Sequence, residues 1–301
     1  MSQRLRVANA PCSWGVLEFD GMTAPSDAAK VLDEIAASGF AGTELGDWGF
    51  LPTSPDALAS ELGGRGLSLV GGFVPVALAR PEEADAGVQA ALQTARLMAG
   101  VSPDAFVVLA DDNGSDPKRT QCAGRILPEH GLDDRQLAQA AQTAQRVARA
   151  VRAETGLRTV FHHHAAGFVE TPDETARFLA HTDPELIGLC LDTGHWTFGG
   201  GDPLQALQDH ADRIWHVHFK DCDGQVATGV AEASGDYFAA VQGGVFCELG
   251  QGSVDFPAIT KALASMDYQG WIVVEQDVLP GMGSPLQSAV RNRGYLARLG
   301  L

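Results

Sequence analysis

The stretch TVFHHHAAGFVET, residues 159–171, sets three consecutive histidines directly after an apolar run. The run reads as a strand. The segment beyond the histidines reads as a helix start: in TPDET (171–175) Thr171 can cap, Pro172 suits the first turn, and Glu174 stands three residues after the cap. The histidines therefore stand at the carboxyl end of a strand, ahead of the connection to a helix.

The pattern repeats along the chain. Apolar runs at 5–10, 42–45, 67–76, 105–110, 158–164, 187–192, 214–220 and 270–276 are rich in Val, Ile, Leu and Phe. They do not alternate strictly, as expected of parallel strands buried on both faces. Helical patterns at 26–38, 54–65, 83–100, 133–155, 172–182, 202–210, 255–266 and 285–299 separate them. Eight strands alternating with eight helices predict one (β/α)8 barrel, a TIM barrel, over residues 1–301. A doubly wound sheet is disfavoured, because PCSWGVLEFDG after the first strand is not a glycine-rich phosphate turn. Two long connections, 111–132 and 221–252, leave carboxyl ends of strands, where barrels build loops over an active-site face.

The net charge of −17 argues against nucleic-acid and anionic-membrane partners. No apolar run reaches the ~18 residues of a membrane span. The five cysteines form no CxxC pair, and the opening MSQRLRVANAPC lacks the pattern of a signal peptide. A cytoplasmic setting is the expectation.

Polar residues gather at the strand ends. Strand 5 ends in His162, His163 and His164; strand 6 in LDTGH, with Asp192 and His195; strand 7 carries HVHFKD, with His216, His218, Lys220 and Asp221; strand 8 ends in VVEQD, with Glu275 and Asp277. Alternation puts His162 and His164 on one face and His163 on the other, and places His216, His218 and Lys220 together. Imidazoles and carboxylates among apolar neighbours are costly unless paired or metal-bound. His162, Asp192, His218 and Glu275 are thus a candidate ligand set for one divalent cation. Two imidazoles and two carboxylates suit Mn²⁺, Co²⁺, Fe²⁺, Ni²⁺ or Zn²⁺ better than Ca²⁺. Each residue also has a plainer reading: a lone strand histidine as a hydrogen-bonded core residue, Asp192 as a turn cap, Glu275 as an arginine partner, Lys220–Asp221 as a surface pair.

LDTGH, HVHFKD and VVEQ resemble the xylose isomerase-like TIM barrels, a family of sugar isomerases, epimerases, dehydratases and endonucleases. APCSWGV (10–16), GFAGTELGDWGFLP (39–52), FHHHAAGFVETPDE (161–174) and CLDTGHWTFGGGDP (190–203) resemble its inosose dehydratase branch, so the likeness spans nearly the whole chain. The resemblance implies a divalent metal, Mn²⁺ or Co²⁺ first, at Asp192, His218, Glu275 and a strand-5 residue. That residue is a glutamate in the wider family. Here it is His162 or His164, and the loss of one of two flanking glutamates disfavours two-base epimerisation.

The resemblance further implies a polyol or keto-sugar substrate such as 2-keto-myo-inositol. Glu275 or His164 would act as base, and His195 or Lys220 as acid. Trp14, Trp48 and Trp196 would form walls against the sugar ring. Glu44 would bind a substrate hydroxyl or hold the barrel through a buried hydrogen bond. Barrels of this group often pair, so a homo-oligomer is expected. The rival readings are a metal-dependent isomerase or epimerase, a non-catalytic metal or sugar-binding module, and an endonuclease, the last disfavoured by the negative charge.

Overall fold

The computed structural model describes residues 5–16, 27–279 and 281–301. Eight parallel strands close into a barrel: β1 (Arg6–Asn9), β2 (Gly42–Glu44), β3 (Ser68–Val76), β4 (Phe106–Asp111), β5 (Arg158–His162), β6 (Ile187–Asp192), β7 (Ile214–Phe219) and β8 (Trp271–Val274). Each strand pairs with its neighbours in sequence, and β8 closes onto β1 with Val7 beside Ile272 and Asn9 beside Val274. β5 stops at His162, two residues short of the expected run.

All eight expected helices form, including Asp134–Thr155 and Pro285–Arg298. The Thr171 cap is reciprocal as read: its Oγ1 accepts from Glu174 N–H, and Glu174 Oε2 accepts from Thr171 N–H. The helices bury Leu, Val, Ile and Ala against the outer faces of the strands in one extended core. No described helix is long and apolar enough to cross a membrane.

The lumen is layered. Ala8, Ala10, Val70 and Val273 form one apolar group, and Phe106, Val108, Val160 and Cys190 another. At the amino end, Arg6 covers Trp271, and Arg158 lies over Phe106 and Trp215. Polar lumen residues therefore collect at the carboxyl end.

The long connections are not bare loops. Residues 111–132 include a helix, Pro117–Cys122; residues 221–252 include Gly224–Glu232, Tyr237–Gln242, and a two-strand antiparallel ribbon, Asp221–Cys222 with Phe246–Cys247. They share a small second core over the carboxyl ends of the strands, with Ala123, Ala165, Phe198, Tyr237, Val245 and Phe246. Two buried charges anchor them. Arg119 grips Glu174 with both terminal nitrogens at 2.7 and 2.8 Å and donates Nε to Gly167 O. Asp221, read as half of a surface ion pair, is instead buried and accepts N–H groups from Cys222, Gly250, Gly252 and Val254.

Candidate active site

LDTGH is a cradle. Asp192 ends β6, and its Oδ1 accepts His195 N–H, capping a short helix, Thr193–Phe198, that periodicity did not reveal. Thr193 Oγ1 donates to Lys220 O and accepts from Lys220 N–H, pinning the end of β7 to the turn. Gly194 leaves room for the lysine stem: a Cβ there would stand 2.7 Å from Lys220 Cγ. His195 Nε2 lies 3.1 Å from Lys220 Nζ. The plain reading of Asp192 as a cap and the ligand reading are compatible, because each uses a different oxygen.

The three histidines do three things. His163 points away from the lumen, packs edge-on to Trp196, and accepts Asp192 N–H on Nε2 at 3.2 Å. Strand pairing between β5 and β6 ends at His162 and Cys190, so this ring satisfies the next donor beyond the ladder. His162 Nε2 lies 3.6 Å from Asp192 Oδ2. His164 Nδ1 contacts Ala165 O at 2.7 Å. A carbonyl can only accept, so Nδ1 carries the hydrogen and Nε2 the lone pair.

His162, Asp192, His218 and Glu275 each bring one donor atom to within 4.8 Å of the others. His218 Nδ1 is 3.3 Å from Glu275 Oε1 and 3.8 Å from Asp192 Oδ2. Asp192 Oδ2 is buried and accepts no hydrogen bond, although His162, His218 and Lys220 nitrogens surround it at 3.6 to 3.8 Å. Those separations are too long for hydrogen bonds. The two imidazole separations are those of neighbouring ligands around an ion held at ~2.0–2.2 Å, whereas the Lys220 ammonium has no lone pair to offer one. On the far side of the ring, His218 Nε2 donates to Glu44 Oε1 at 3.0 Å, and His216 Nε2 donates to the same oxygen at 2.8 Å.

Burial opposes the charge on Glu44, but the His218 and His216 imidazoles outweigh it and hold the carboxyl down at about 2. Burial likewise penalises a charged Lys220; Asp277, Glu275 and Asp192 overcome it and push the ammonium well above its ordinary value. Glu275, opposed by burial, is held well below the carboxylate range by His218 and Lys220. Burial, with Lys220 nearby, lowers His164 to about 4, and burial with His164 and Lys220 lowers His195. At neutral pH the site thus holds an ammonium, ionised carboxylates and a neutral His164 imidazole.

A cavity opens over these groups. Glu44, His162, His164, His218, Lys220 and Glu275 line it, joined by Cys12, Asp47, Phe73 and Asp277. Asp277 shares the face of Glu275, two residues away, and alternation alone reveals it. Phe73 lies inside an apolar strand run and gives no signal. His195 joins the site through Lys220 and a 3.8 Å ring contact with His164.

Two of the three tryptophans do not form the expected walls. Trp14 is buried and donates Nε1 to Glu34 on the helix Ala28–Ala37. Trp196 faces outward against His163 and His210. Both fill the seam between barrel and helices because their large rings find apolar partners there. Trp48, 43% exposed, stands in a groove beside the cavity that shares Asp47 and Phe73 with it. Glu44 spends Oε1 on two imidazoles, the structural alternative for this residue.

Fold and rim together define a (β/α)8 enzyme with its polar constellation at the carboxyl ends of strands β5 to β8. Residues 32–297 match the family model described as xylose isomerase-like TIM barrel, and the chain belongs to that family. It is 32% identical over 300 residues to an inosose dehydratase of Geobacillus kaustophilus, covering 98% of this chain and 94% of that one. It is 34% identical over 303 residues to the rhizopine catabolism protein MocC of Rhizobium meliloti, covering 98% and 88%. Among solved structures, an L-ribulose 3-epimerase superposes with a TM-score of 0.70 at 18% identity, covering 98% of this chain and 94% of that one. The apo 3-keto-D-glucoside 4-epimerase YcjR of E. coli gives 0.68, also at 18%, with 99% of each covered. The chain is an enzyme of that family.

Proposed function

We propose that the chain is a divalent-metal-dependent dehydratase of a polyhydroxylated cyclic ketone, of the inosose type. The observation that carries this reading is an acid and a base in one cavity with three of the four donors, His162, His218 and Glu275: the Lys220 ammonium and the neutral His164 imidazole. The names of the full-length relatives support it.

His162, Asp192, His218 and Glu275 would hold the ion; the buried Asp192 Oδ2 without a hydrogen bond fits that role. When bound, a divalent ion there supplies Lewis-acid charge for an oxygen of the substrate. The donor set suits Mn²⁺, Co²⁺, Fe²⁺, Ni²⁺ or Zn²⁺, and the family resemblance puts Mn²⁺ and Co²⁺ first.

His164 Nε2 takes the proton next to the carbonyl. The C–O bond to the neighbouring hydroxyl breaks, Lys220 supplies its proton, and water leaves. The remaining electron pair closes the C=C bond. Glu275, expected as a rival base, is already committed to His218 and Lys220 and is the weaker candidate. His195 has one lone pair in its neutral form but two donors facing it, Ala165 N–H and Lys220 Nζ. Held neutral by burial, it has no imidazolium proton to give, which leaves Lys220 as the acid.

The test is product mass after incubation with 2-keto-myo-inositol and Mn²⁺. Loss of one water supports the dehydratase. Unchanged mass with solvent deuterium at carbon points to an isomerase or epimerase and overturns the reading.

A further inference from the structure

Cys190 lies one lumen layer below the four-donor rim, opposite His162 across the β5–β6 ladder and beside His216 across β6–β7. It is fully buried. His162, Cys190 and His218 bring one donor atom each to within 4.8 Å of one another, a second constellation that shares both histidines with the first. The Nδ1 atoms of His162 and His218 are buried and meet no hydrogen-bond partner. Two imidazoles and a sulfur are a donor set for a soft cation, whereas the rim adds two carboxylates.

We propose that the lumen contains a second, alternative metal site, His162–Cys190–His218, which takes thiophilic cations such as Cd²⁺ or Zn²⁺ and excludes an ion from the rim. Only one of the two sites fills at a time, because each needs both imidazoles. On binding, a metal–sulfur bond forms and the S–H proton leaves to solvent; nothing is oxidised or reduced. A cation held there lies deeper in the barrel than one at Asp192 and Glu275. The site would therefore decide which metals support activity and which block it. The proposal rests on the rim reading, since the shared histidines define the competition.

The test uses the full chain stripped with chelator. Cd²⁺ titration of the wild type should give a sulfur-to-cadmium charge-transfer band in the ultraviolet that saturates at one equivalent. The band should be lost in both Cys190→Ser and Cys190→Ala, each checked for native circular dichroism. Mn²⁺ should bind without such a band, and one equivalent of Cd²⁺ should release it, seen as the free Mn²⁺ resonance. A band that persists in the Cys190 variants, or Mn²⁺ that stays bound beside Cd²⁺, overturns the proposal. If wild type binds no Mn²⁺ at all, the rim reading fails first; if it binds Mn²⁺ but shows no Cys190-dependent cadmium band, only the second site fails.

Discussion

Glu44→Gln tests how the candidate metal site is oriented. Glu44 Oε1 accepts the Nε2 hydrogens of His216 and His218 at 2.8 and 3.0 Å, and the residue is buried. Holding the hydrogen on Nε2 leaves the His218 Nδ1 lone pair for a cation. Glutamine keeps the shape and a carbonyl acceptor but removes the charge. A charge-assisted hydrogen bond of ~1.5–3 kcal/mol then falls to a neutral one of ~0.5–1.5 kcal/mol. Only the bond to His218 is coupled to the ion, so the loss is ~1–1.5 kcal/mol, or roughly tenfold in affinity, the lower end of the ~10–100-fold typical of such partners. Calorimetric titration with Mn²⁺ at neutral pH measures it, with circular dichroism to show the barrel intact. His216→Phe is the control: it removes the other imidazole and should change affinity far less. Equal Mn²⁺ affinity in wild type and Glu44→Gln would refute the orienting role, and equal losses in the two variants would show that lumen packing is responsible.

Alanine at Asp192 or His218 should abolish bound metal and turnover together; turnover without metal would separate the site from the chemistry. Lys220→Met keeps the stem against Gly194 but deletes the ammonium, so metal content should persist while kcat falls by ~10²–10⁴-fold, read in steady-state assays. Glu170 is raised to about 7 by burial, only partly offset by the N–H groups of Gly124 and Ala166 on its two oxygens. The native chain therefore retains a proton that the unfolded chain releases above pH ~4.5, and stability should fall by up to about 3 kcal/mol as pH rises from ~4.5 to ~7, then level off. Denaturant midpoints of wild type against Glu170→Gln across that range should show a steeper fall in the wild type, the remainder in the variant coming from other buried carboxyls such as Asp111, raised by burial to about 6.

The barrel was legible because buried parallel strands and capped helices leave strong local marks, as at Thr171 and Glu174. The rim was legible because alternation is geometric: His162 and His164 turn inward and His163 outward. What failed was anything set across the barrel. Glu44 meets His216 and His218 through a contact spanning 172 and 174 residues, and no local pattern encodes it. Trp14 and Trp196 failed for the same reason. Adjacency to a strand end says that a ring is near the mouth, not which side of the wall it packs on. The Thr193–Phe198 helix escaped notice because six residues, nearly all buried, show no amphipathic period.

The brace at Arg119 also has a mechanical consequence. With every terminal nitrogen of that guanidinium engaged and the residue sealed from solvent, the connection after β4 is fixed masonry rather than a swinging flap. Substitutions that free it should loosen the second core above the strands before they touch the barrel beneath.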